Sequence, residues 1–112
     1  IGQIVLDKGR WKNKQIVSQQ WIENSTKPRT IIPKQEHLEL SYSYLWWHHD
    51  FVVNNKRVKS TIAWGNGGQF IFIIPDLDMV TVFTGGNYNS VRTLQPFEIL
   101  EKNILPLFAS TL

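Results

Sequence analysis

The sequence predicts an α+β domain: an antiparallel β-sheet meander with short helices before it and a covering helix after it. Two observations carry the sheet. QFIFIIP and MVTVFTGG are apolar runs separated by the turn PDLD, and FVVNNKRV reads as a hairpin turning at Asn54-Asn55. One observation carries the last helix. Leu94, Phe97, Leu100, Ile104 and Phe108 recur near one helical face, with Glu98, Glu101 and Lys102 largely elsewhere.

The elements follow in order. Ile1, Ile4 and Val5 sit at helical spacing, and Gly9 is placed to end that helix as its C′ residue. RWKNKQ reads as a tight turn. Ser18 N-caps a short helix, QQWIENST, which predicts Trp21 and Ile22 inward. Residues 26–40 carry Pro28, Pro33 and scattered charges and read as a long loop. SYSYLWWHH reads as one strand, with Tyr42, Tyr44 and Trp46 on one face and Leu45 and Trp47 on the other. Residues 60–64 form the next strand and lead into Gly65-Asn66-Gly67-Gly68. The QFIFIIP strand, the PDLD turn and MVTVFTGG complete the sheet. Pro96 suits a first helical turn, and Pro106 kinks or ends the terminal helix.

Composition removes several function classes. With 112 residues the chain is one domain at most, and no apolar run approaches the roughly 20 residues of a membrane helix. There is no cysteine, which excludes disulfides, thiolate catalysis and cysteine-ligated zinc. The net charge of +3 is mild and its basic residues are dispersed. Lys8, Arg10, Lys12 and Lys14 around Trp11 form the densest basic group, which reads as a solvated turn rather than a nucleic-acid surface. The chain begins without methionine or a signal-peptide pattern, and its first helix has no preceding cap, so we expect part of a longer protein.

Few residues offer chemistry on their own. In His48-His49-Asp50 strand alternation lets only His48 and Asp50 share a side, and two ligands make a poor metal site. His37 lies in a loop. Asp76 and Asp78 belong to a turn after a proline. Gly-x-Ser-x-Gly and Ser-x-x-Lys are both absent, and no Lys-Ser or Lys-Thr follows the glycine cluster to make it a phosphate loop. No metal and no cofactor is expected. The cluster marks either a β-bulge without catalytic role or a close approach of backbone to something else.

Four stretches carry a resemblance: GQIVLDKGRWKNKQIVSQQWIENST, YSYLWW, GNGGQFIFIIPDLDMVTVFTGGNYN and the terminal helix. In that order they resemble the C-terminal part of the serine β-lactamase-like hydrolases, the superfamily of class C β-lactamases, penicillin-binding proteins and related esterases. GNGGQ with YSYLWW is most similar to the esterase and 6-aminohexanoate-dimer hydrolase branch. The resemblance implies that Gly65 is the glycine of a Lys/His-Thr/Ser-Gly motif beside the active site. Asn66 then gives its main-chain N–H to an oxyanion hole, and Gly67 permits close approach of substrate. Trp64 and Trp47 would wall an acyl pocket, although aromatics in a sheet are also ordinary core.

Ala63 and Trp64 stand where the family carries its basic residue, so an uncharged ester or amide is the implied substrate rather than a β-lactam. The family's nucleophilic serine and its lysine, in Ser-x-x-Lys, and its Tyr-x-Asn motif fall outside these 112 residues. The implied partners are therefore a small ester, amide or peptide-like substrate and the N-terminal part of the same chain. Removal of that part predicts self-association of the uncovered apolar surface. Two other classes remain open: a non-catalytic penicillin-binding-like protein for cell-wall or peptide ligands, and a carbohydrate-binding module using the five tryptophans as stacking platforms.

Overall fold

β-Branched and aromatic residues between tight turns build one meander. The computed structural model describes residues 1–35 and 37–112. Its main sheet has six strands: β3 (Thr30–Gln35), β4 (Leu38–Tyr42), β5 (Trp47–Val53), β6 (Lys56–Gly65), β7 (Gln69–Ile74) and β8 (Met79–Phe83). They pair in chain order and every pair is antiparallel, as the sequence predicts for the last three. The β5–β6 turn has Asn54 at φ 50° and Asn55 at φ 63°, the doubly positive geometry that asparagine tolerates and that matches strand twist. Between β7 and β8, Pro75–Leu77 form a 3₁₀ turn closed by Asp78 in the left-handed region.

Alternation gives the sheet two unlike faces. Phe51, Val58, Ile62, Phe70, Phe72 and Ile74 point to one side and are buried there under the C-terminal segment. That segment is helical throughout but changes pitch: 3₁₀ over Val91–Leu94, α-helix α3 over Gln95–Ile99, a π turn over Leu100–Ile104, then 3₁₀ over Leu105–Thr111. Phe97 enters the middle of the aromatic core, its ring centroid 5.2 Å from both Phe70 and Phe72. The π turn admits an extra residue per turn and rotates everything after it. Leu105 is therefore buried, Ala109 and Leu112 pack on the core, and Phe108 is exposed, contrary to the even helical spacing. The π turn ends at Ile104, just before Pro106, and the proline sits in the first turn of the 3₁₀ stretch that follows, a position that suits its missing N–H.

The opposite face receives the N-terminus. Helix α1 (Gly2–Leu6) lies so close to β7 and β8 that a Cβ on Gly2 would come within 2.6 Å of Val80 and 2.8 Å of Ile71. The helix ends in a Schellman motif: Lys8 N–H donates to the Val5 carbonyl and Gly9 N–H to the Ile4 carbonyl. The left-handed C′ position thus falls to Lys8, at φ 56°, one residue before the glycine expected there. A two-residue hairpin follows, β1 (Arg10–Trp11) with β2 (Lys14–Gln15), turning at Lys12 and Asn13. Helix α2 (Gln19–Ser25) is capped by Ser18 Oγ, which accepts from Trp21 N–H at 3.1 Å.

Three expectations are corrected by long-range pairing. Residues 26–40 are not a long loop, because Thr30–Gln35 pair with β4 as an edge strand. Pro33 is tolerated at an edge, where a missing N–H costs no ladder bond. SYSYLWWHH is not one strand; Ser43–Trp46 form the β4–β5 turn, closed by a 2.9 Å bond from Ser43 N–H to the Trp46 carbonyl. Tyr42 and Trp47 consequently become cross-strand partners on the same face. Trp21 does not point inward. It is 52% exposed and stacks on Tyr44 of that turn at 6.0 Å. Among the described residues, no helix is long and apolar enough to cross a membrane.

Candidate functional site

The glycine cluster is the loop of the β6–β7 hairpin. Gly65 and Gln69 are the last cross-strand pair, which leaves Asn66, Gly67 and Gly68 to turn the chain. Gly67 and Gly68 have φ of 95° and 93°, open to glycine and strained for other residues. The close approach anticipated from the sequence is to this chain's own second glycine pair. Asn87 N–H donates to the Gly67 carbonyl at 2.9 Å, and a Cβ on Gly85 would sit 2.8 Å from that same oxygen. The Tyr88 ring lies so near Gly67 that a Cβ there would meet it at 2.5 Å. The Gln69 carboxamide grips both sides of the Gly85 peptide, donating to its carbonyl and accepting from its N–H, and so extends the β7–β8 ladder past Phe83.

This docking brings the segment after β8 against the hairpin tip and creates a cleft. Asn66 Nδ2 donates to Asn89 Oδ1, and Asn89 N–H donates to Asn66 Oδ1, both at 3.4 Å. Between them and Trp64 opens a space of about 550 Å³ bounded also by Ser90, Val91, Thr93 and Leu94. None of its walls is an ionisable side chain. Ser90 Oγ is already engaged, accepting from Arg92 N–H at 3.2 Å. Thr93 Oγ1 is buried with no hydrogen-bond partner among the described residues. The Asn66 main-chain N–H, on an exposed turn residue, likewise donates to no protein acceptor among the described residues.

Behind the cleft runs an aromatic row. Tyr42, Trp47, Trp64 and Phe70 occupy successive strands on the core face, with centroid separations of 4.7, 5.0 and 5.2 Å. Tyr42, Trp47 and Trp64 are half-buried, and of the four rings it is Trp64, next to the buried Phe70, that lines the cleft. Of the residues singled out from the sequence, Trp64 and Asn66 line the cleft, while Gly65 and Gly67 frame its lip. Trp47 stands one strand back, packed on Trp64. The sequence reading missed Asn89, Ser90, Thr93 and Leu94. Gly85-Gly86 and the asparagines after it were the available signal, since they mark an irregular segment next to a strand end.

The histidine pair behaves as alternation predicts. His49 faces the core side, edge-on to Phe51 at 4.6 Å, and shares a 2.9 Å hydrogen bond with the Glu39 carbonyl. His48 faces the other side, buried, with Nε2 2.9 Å from Ser43 Oγ and Nδ1 3.4 Å from Thr61 Oγ1. Burial holds its pKa below the ordinary histidine value, partly opposed by the Asp50 carboxylate. Asp50 pairs with Arg57 at 3.5 Å. Among the described residues, no group of three or more potential metal ligands converges.

Chemically, the cleft can hold a neutral polar group against an aromatic wall, with the Asn66–Asn89 pair at its rim. It contains no acid, base or activated nucleophile of its own. Neither the known protein-family models nor the curated proteins contain a match to this chain.

Proposed function

We propose that this chain is the C-terminal portion of a β-lactamase-like serine hydrolase and supplies the oxyanion wall of its acyl-transfer site. The observation that carries the reading is that Asn66, whose main-chain N–H has no protein acceptor among the described residues, lines an uncharged cleft walled by Trp64. A carbonyl oxygen gaining negative charge in an acyl-transfer transition state needs fixed donors that require no reorganisation. A main-chain N–H on a hairpin tip, clipped by the Asn66–Asn89 pair and the Gly67–Asn87 bond, is such a donor. The glycines on either side let a substrate lie against bare backbone.

The absence of ionisable walls supports an uncharged ester or amide, because no cation waits for a carboxylate. It also requires that nucleophile and base come from elsewhere. The resemblance of GNGGQ and YSYLWW to this superfamily assigns them to an upstream Ser-x-x-Lys, acting through an acyl-enzyme. Trp64, backed by Trp47, forms the flat side of the acyl pocket in this arrangement.

The test uses the full-length parent protein. It is expected to hydrolyse p-nitrophenyl acetate and to be labelled covalently on one serine by a fluorophosphonate, with butyrate esters turned over as well. A parent protein that binds neither probe and lacks Ser-x-x-Lys rules the proposal out.

A further inference from the structure

Thr93 lines the cleft, and its Oγ1 is buried with no hydrogen-bond partner among the described residues. Atoms of this chain alone bury it, so the missing partner does not reflect an uncovered surface. Buried hydroxyls are nearly always paired, because an unpaired one gives up its bond to water and gains nothing in return. A local partner was within reach. Thr93 lies in the 3₁₀ turn Val91–Leu94, where a threonine hydroxyl can bond back to a carbonyl three or four residues earlier. The Ser90 carbonyl accepts the Thr93 N–H at 3.1 Å, and the hydroxyl does not join it. Asn87 Nδ2 pins the same turn by donating to the Arg92 carbonyl at 3.3 Å.

The other side-chain oxygens of the cleft wall are already engaged. Asn66 Oδ1 accepts from the Asn89 N–H, Asn89 Oδ1 from Asn66 Nδ2, and Ser90 Oγ from the Arg92 N–H. Trp64 carries no acceptor. Among the described residues, Thr93 is therefore the one wall side chain whose oxygen accepts nothing. The Asn66 main-chain N–H is a donor without an acceptor in the same cleft. One free donor and one free acceptor complement a ligand that presents both a carbonyl oxygen and an N–H. An amide presents both, whereas an ester presents the carbonyl alone. We infer that Thr93 is a specificity-determining residue that favours amides over esters, its hydroxyl accepting the N–H of the bound amide. This rests on the reading of the cleft as an acyl-transfer site and gives amides the preference within it. The motion required is a turn about χ1, which exchanges hydroxyl and methyl between staggered positions and brings Oγ1 from the wall into the cleft. The fold carries the cost of an unpaired hydroxyl, and a bound amide offsets it.

The test uses the full-length parent, with acetanilide as a competitive inhibitor of p-nitrophenyl acetate hydrolysis. Thr93→Val keeps the shape of the side chain and removes the hydroxyl. It should raise the inhibition constant of acetanilide about ten-fold relative to the KM of the ester, as expected when one ligand N–H loses its partner. Thr93→Ser, which keeps the hydroxyl, should restore the wild-type ratio. The valine variant should also melt at the same temperature as wild type or higher, because it deletes an unpaired buried group. A ratio that valine leaves unmoved overturns the inference. A lower melting temperature for Thr93→Val overturns it too, since the hydroxyl is then bonded to another part of the parent. Failure of the hydrolase reading looks different, as a parent that does not turn over p-nitrophenyl acetate. In that case acetanilide and its ester counterpart, phenyl acetate, are titrated against tryptophan fluorescence. A preference for acetanilide that Thr93→Val abolishes keeps the role of Thr93, and equal binding of the two overturns it.

Discussion

Gly67→Ala tests how the site is held together. The residue has φ 95°, and an added Cβ would meet Tyr88 Cε1 at 2.5 Å, Cδ1 at 2.7 Å and Cζ at 3.0 Å. Backbone strain at such a φ costs a non-glycine residue on the order of 1–3 kcal/mol. The steric share is smaller, because Tyr88 is exposed and its ring can swing outward. Alanine returns roughly 0.4–1 kcal/mol by restricting the unfolded chain, so the expected net loss is about 1–3 kcal/mol. With a urea m-value of about 1–1.5 kcal/mol/M for a domain this size, the midpoint should fall by roughly 0.7–3 M. Tryptophan fluorescence during urea unfolding reads it. Gly86→Ala is the control, since a Cβ there meets nothing within 4 Å, and it should be neutral or slightly stabilising. Adding Tyr88→Ala to Gly67→Ala should recover the steric share and leave the strain. If Gly67→Ala and Gly86→Ala unfold at the same urea concentration, the hairpin tip is not docked as described.

Phe97→Ala removes the ring that touches Phe70 and Phe72 and should cost about 3–5 kcal/mol, seen as a lower thermal midpoint; a loss below about 1 kcal/mol would mean that the helical segment does not seal the sheet. Lys8→Gly relieves a left-handed lysine at the helix C′ position and should stabilise by roughly 0.5–1 kcal/mol in the same assay, whereas a destabilised variant would contradict the Schellman geometry. His48 has a folded pKa below its unfolded one, so the unfolded chain binds more protons as pH falls; stability is full above the ordinary histidine range and declines below it. His48→Gln should flatten the urea midpoint between about pH 7 and pH 5, and an unchanged slope would place the proton linkage elsewhere.

Elements set by local chemistry were legible in the sequence. Asn54-Asn55, Pro75–Asp78 and the apolar β7 and β8 announce themselves through turn residues and short apolar runs. What depended on distant partners was not. Thr30–Gln35 becomes a strand only because β4 lies beside it, and the Ser43–Trp46 turn is made of residues that also favour strands. The π turn has no local signature, yet it moves burial from Phe108 to Leu105, Ala109 and Leu112. The site divides in the same way. Trp64, Gly65, Asn66 and Gly67 are contiguous and stood out as glycines beside a strand. Asn89, Ser90 and Thr93 reach the cleft only through the Gly67–Asn87 bond and the Gln69 clamp on Gly85, neither of which a linear pattern reveals.

The most direct measurement deletes one hydrogen from the proposed oxyanion wall. In the full-length parent, the α-hydroxy analogue of asparagine at position 66 turns the Gly65–Asn66 amide into an ester, which removes that N–H, keeps the side chain and weakens the Gly65 carbonyl as an acceptor. Asn66→Ala is less clean, because it also breaks the two bonds to Asn89. The N–H donates to no acceptor among the described residues, so the unfolding midpoint should move by no more than the weaker Gly65 carbonyl accounts for, about 1 kcal/mol. Turnover of p-nitrophenyl acetate should nevertheless fall by about 10²–10³, the usual effect of losing one oxyanion donor. A folded ester variant with undiminished turnover would contradict the account and leave the glycine hairpin a purely structural turn.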